Sequence, residues 1–154
     1  MTDEEFDKIL KDFNAKQQRS AEERARNQSE DAALIEKFTE YAHKQIEPAL
    51  ITVGHKLQQN GHDYDVHPSK QNITFNFFPK NVSRADFRHD STPHLTFTWE
   101  AAKRKVLVRG SNITPQSGGE AGLQGHYDLA EVTPEFVRER AMKLVQEVLA
   151  KQSR

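Results

Sequence analysis

The sequence predicts an α+β fold: one antiparallel sheet of four to five strands, in the order α-α-β-β-β-β-(β)-α. A kinked second helix and the C-terminal helix pack on one face of that sheet. Three observations carry this reading. His94-Leu-Thr-Phe-Thr-Trp99 alternates apolar and polar residues, the period of a strand with one buried and one wet face. Its neighbours Ile73, Phe75, Phe77 and Val106, Val108 repeat the pattern. Helical stripes precede and follow the strands, and contiguous strands pair as an antiparallel meander because parallel pairs need long crossovers.

Residues 2–13 form the first helix. Thr2 and Glu5 have capping-box spacing, in which each side chain satisfies the other's free amide. Phe6, Ile9, Leu10 and Phe13 fall at i, i+3, i+4 and i+7, one stripe of a helix. Asn14 to Glu30 has only Ala as apolar residues, so it reads as a solvated helix or a linker. Residues 1–28 are thus set apart from an α+β domain over 29–154.

The second helix runs from about Asp31 to Gln59 on a stripe that includes Leu34, Phe38, Ile46, Leu50, Val53 and Leu57. Pro48 interrupts it, because proline lacks an amide donor and crowds the carbonyl four residues back. A kink or a break is expected near Gln45 to Glu47. Asn60-Gly61 stops the helix. Strands are expected over His62–His67 and Ile73–Phe78, then over the pair His94–Trp99 and Lys105–Arg109. Lys80 to Pro93 is read as a polar loop. Gly110 to Gly125 holds five of the seven glycines and is expected to be a flexible loop, with a last edge strand at His126–Leu129. The C-terminal helix starts from Thr133 as N-cap and Pro134 at the first helical position. Val132 and Val137 are placed as its hydrophobic staple.

The chain has 154 residues and a formal net charge of −1, which fits one domain of ordinary size. It has no cysteine, which excludes disulfides, a Cys nucleophile and thiolate-bound metal. No apolar run approaches the roughly 20 residues that cross a bilayer. The acidic start Met1-Thr-Asp-Glu-Glu5 lacks the apolar core of a signal peptide. A cytoplasmic location, no membrane and no cofactor are the expectations.

Three sets of residues suggest function. The stripe Phe6, Ile9, Leu10 and Phe13, followed by a polar connector, has the form of a docking helix for a protein partner or a second copy. Lys103, Arg104, Lys105 and Arg109 lie in the basic middle of the chain, where 61–110 holds eight Lys and Arg against five Asp and Glu. Such a face suits an anion or nucleic acid. In a strand, Asp63, Asp65 and His67 project from one side and suit a metal or a general base. His89, Asp90, His94 and His126 are the residues available to complete that site. Ser117 to Gly125 matches no phosphate-loop fingerprint, and no hydrolase or kinase motif is present. The reading is therefore a non-catalytic binding module (an adaptor, chaperone-like protein or complex subunit) in preference to a nucleic-acid-associated protein or a metal-assisted hydrolase.

Overall fold

The computed structural model describes residues 1–88, 91–115 and 121–152, with backbone alone over 121–124. Helix α1 spans Asp3–Tyr41, a π-helical turn follows at Ala42–Ile46, and α2 spans Glu47–Gln59. Five strands come next: β1 Asp63–Pro68, β2 Asn72–Phe78, β3 His94–Glu100, β4 Lys105–Ser111 and β5 Ala121–Tyr127. Helix α3, Pro134–Gln152, closes the chain. Two compact units are present, Met1–Leu34 and Ile35–Arg154, where the sequence reading divided the chain after residue 28.

In the first unit the capping box forms as expected. The Glu5 amide donates to Thr2 Oγ1 at 3.3 Å, and the Thr2 amide donates to Glu5 Oε2 at 3.2 Å. Helix continues through Asn14 to Glu30, the solvated-helix alternative of the sequence reading. Ala, Gln, Lys, Arg and Glu dominate there, with no Gly or Pro, and these residues have strong helix propensity. The expected boundary near Phe13 is therefore corrected: the end of an apolar stripe does not end a helix.

In the second unit the five strands form one antiparallel sheet in sequence order, β1-β2-β3-β4-β5. Ile73, Phe75, Phe77, Leu95, Phe97, Trp99, Val106 and Val108 are all buried on its inner face, as alternation requires. Phe38, Ile46, Leu50 and Val53 from the first helices and Val137, Ala141, Leu144 and Val148 from α3 complete the core. Phe38 stacks on Trp99 at 6.0 Å between centroids. Tyr41 Oη donates to the Val132 carbonyl at 2.6 Å, and burial raises its pKa, which keeps the phenol a donor.

The helix irregularity falls earlier than the expected Gln45–Glu47 kink and takes another form. Pro48 sits in the first turn of α2 and cannot donate to the carbonyl of Lys44. The chain absorbs this by widening one turn, and the Glu47 amide donates to the Ala42 carbonyl instead. Helix α2 ends as Asn60-Gly61 predicts. Gly61 has φ +86°, its amide donates to Gln58, and the His62 amide donates to Leu57, the two bonds of a Schellman close. At α3, the Phe136 amide donates to Thr133 Oγ1 at 3.1 Å, and Val132 and Val137 are fully buried.

The glycine-rich stretch is the main correction. Strand β4 runs on to Ser111, and Ala121–Tyr127 is strand β5, displacing the expected last strand at His126–Leu129. Leu129–Glu131 is a short 3-10 turn. A strand tolerates these glycines because the edge position demands backbone pairing more than side-chain packing. Gly125 lies opposite Val108, and a Cβ there would come within 2.9 Å of the Tyr127 ring. The Ser117–Glu120 part of the proposed loop lies outside the described residues.

Candidate functional site

Period two places a second set of side chains on the outer sheet face. The register aligns Asp65, Asn76 and His94 in one row, and His67, Thr74, Thr96 and Arg109 in the next. Pairing β1 with β2 brings Asp63, Asp65 and His67 to this face, as alternation predicts. Asp65 is the hub. Its Oδ1 accepts from Asn76 Nδ2 at 2.7 Å and lies 3.0 Å from His67 Nε2. Arg84, from the β2–β3 loop, donates to Asp65 Oδ2 at 2.7 Å and to Asp63 Oδ2 at 2.9 Å.

The two carboxylates of the candidate metal set thus face a guanidinium. Among the described residues, no cluster of three or more His, Asp or Glu side chains is placed to hold a metal. His89 and Asp90 lie outside the described residues. His94 shares the face, but His126 does not join Asp63, Asp65 and His67: its Nε2 donates to Glu100 Oε2 at 2.5 Å, at the β3–β4 end of the sheet.

The β2–β3 loop lies against the outer face. The Arg84 guanidinium sits over the Phe78 ring at 4.3 Å, and Phe87 meets Phe78 edge-on at 5.2 Å. Loop and sheet together bound a basin of about 470 Å³, walled by Asp65, Thr74, Thr96, Arg84, Arg88 and His94 among others. The sequence reading found His94 and the acidic β1 residues and counted Arg84 and Arg88 in the basic stretch, but it did not bring Arg84, Arg88, Asn76 and Thr92 to this site. One signal was available: a connection longer than about 12 residues inside a compact domain is uncommon and often functional.

The basic set is spread along the β3–β4 hairpin. Lys103 and Arg104 occupy its turn, with Arg104 at φ +52°, and Lys105 opens β4 opposite Glu100. Lys105 Nζ lies 3.9 Å from Asp128, and Lys103 Nζ lies 3.4 Å from His126 Nε2. Arg109 lies farther along β4, opposite Thr96.

In the first unit, Phe6, Ile9, Leu10 and Phe13 are 52%, 51%, 45% and 57% exposed. At about 100° per residue, Glu5, Asp7 and Asp12 flank this stripe and Lys16 lies at its C-terminal end, whereas Lys8 and Lys11 lie on the back of the helix. No helix among the described residues is long and apolar enough to cross a membrane. Comparison with protein-family models, curated proteins and solved structures returns no match. The class that the coordinates define is a mixed α+β protein with one antiparallel sheet.

Proposed function

We propose that this chain is a protein-binding module whose recruiting element is the start of α1. The observation that carries the reading is the half-exposed stripe of Phe6, Ile9, Leu10 and Phe13. Four large apolar groups on one short segment form a patch of the kind that marks an interaction surface, and an amphipathic helix binds by laying such a stripe into an apolar groove. The flanking acids specify the occupant. Two copies facing each other would set Glu5, Asp7 and Asp12 against the same residues, and like charges across an interface oppose association. A partner with an apolar groove and a basic rim satisfies both halves of the surface. The other two candidate sets have weaker support. Arg84 holds the carboxylates of Asp63 and Asp65, and the basic turn lies beside Glu100, Asp128 and His126.

The test begins with the full chain as bait in native lysate, followed by purification of the recovered protein and calorimetric titration. Phe6→Asp/Phe13→Asp should weaken the complex by about 100-fold or more, since burial of one such side chain is worth roughly 1.5–3 kcal/mol. Equal affinity of the double variant would overturn the proposal. So would sedimentation that shows a stable dimer dissociated by the same substitutions.

A further inference from the structure

The outer-face basin is independent of α1, and its chemistry points to a ligand. Its volume of about 470 Å³ falls within the roughly 300–1,000 Å³ of small-molecule sites. Polar residue types predominate among its described lining residues, beside the rings of Phe78 and Phe87, which suits a hydrophilic ligand with C–H faces.

Charge is distributed unevenly in it. Both terminal nitrogens of Arg84 are engaged by Asp63 and Asp65. Arg88 also lines the basin, and it makes no carboxylate contact among the described residues. Among the described lining residues Asp65 is the one acid, against the guanidinium groups of Arg84 and Arg88.

The main chain of Arg88 is also held in place. Its amide donates to Ser91 Oγ at 3.1 Å, and its carbonyl accepts from the Ser91 amide at 3.1 Å and from Thr92 Oγ1 at 2.5 Å. Thr92 then fixes a second group. Its carbonyl lies 2.9 Å from His94 Nδ1, and a carbonyl only accepts, so that nitrogen carries a proton. The Nε2 of the neutral ring is left as an acceptor. Thr74 and Thr96 stand with their hydroxyls 3.3 Å apart. Whichever donates to the other, one hydroxyl proton remains for a ligand. Phe87 adds an apolar wall for C–H groups.

We propose that this basin binds a small polyhydroxylated anion of the sugar-acid or sugar-phosphate type. Arg88 takes the anionic group, His94 Nε2 accepts from a ligand hydroxyl, and the Thr74–Thr96 pair donates to a ligand oxygen. Thr92 acts as a positioning residue for both Arg88 and His94.

The full-length protein is suited to amide-resolved NMR titration with D-gluconate, glucose 6-phosphate and neutral glucose. The expected result is saturable shifts at the amides of Thr74, Asn76, His94 and Thr96 with at least one anion, and at least tenfold weaker binding of glucose. The stronger anion identifies a carboxylate or a phosphate ester as the group Arg88 receives. Arg88→Ala should weaken that anion tenfold or more. Thr92→Val, which removes the hydroxyl that donates to the Arg88 carbonyl, should weaken it too, with the Arg88 signal moving in the free protein. Lys103→Ala/Lys105→Ala should leave affinity unchanged. The proposal is overturned if neither anion gives saturable shifts, if glucose binds equally well, or if Arg88→Ala binds as the parent does.

Discussion

His62 stands where α2 gives way to β1, and its ring does two jobs there. It packs against Phe77 at 5.4 Å between centroids, and its Nδ1 accepts the Lys80 amide at 2.9 Å. A protonated ring cannot accept that bond. Burial, with the Lys80 ammonium adding to it, holds the imidazole pKa below its ordinary 6.5. The folded state therefore binds fewer protons than the unfolded chain in the window from 6.5 down to the depressed folded value. The stabilisation from neutral His62 is complete above 6.5 and is lost as pH falls through that window. Urea melts between about pH 5 and 7.5, where histidine titrates, should show it. The His62→Asn variant keeps a side-chain acceptor but has no titrating group, so its stability should fall less over the same range. Parallel curves for parent and variant would show that His62 is not the group responsible.

At the scale of elements, α2 and β1 approach each other over Gly54. A Cβ there would overlap the Tyr64 ring. Replacing a mid-helix glycine by alanine ordinarily gains about 1 kcal/mol in helix propensity. Here the sign should reverse, because the ring is confined between α2 and Phe75, which stacks with it at 6.1 Å. Overpacking of this kind costs about 1–3 kcal/mol, so Gly54→Ala should lower the denaturation midpoint, and a raised midpoint would refute the close approach. The sequence did not announce Gly54 as special, because a glycine inside an apolar helical stripe gives no sign of what faces it. The inner sheet face was legible, since Ile73 to Val108 repeat every second residue and burial enforces that period. Asp63, Asp65 and His67 were legible as one face for the same reason. Strand β5 was not, because Ala121-Gly-Leu-Gln-Gly125 has too few large side chains to show a period. The basin was hidden because it depends on a loop. Nothing periodic in 79–93 says that Arg84 bridges back to β1 or that Thr92 fixes both Arg88 and His94.

The whole molecule separates what folds from what is offered to solvent. Among the described residues, every buried apolar side chain lies in Ile35–Arg154, and residues 1–30 are exposed throughout. The single tryptophan reports on the first of these. Trp99 is buried against Phe38, and its Nε1 has no acceptor among the described residues. Its fluorescence therefore follows the core. Deleting residues 1–28 removes the whole apolar stripe and leaves Phe38 and Tyr41 in place. The truncated protein should keep the emission maximum of the parent and melt within about 4 °C of it, a shift equivalent to less than roughly 1 kcal/mol in a domain of this size. Phe38→Ala in the full chain is the contrast: it opens a cavity beside the indole, should cost about 3–5 kcal/mol, and should move the emission to longer wavelength. A large loss of stability on truncation would make the first turns of α1 part of the folded core. Their half-exposed phenylalanines would then not be a surface held ready for a partner.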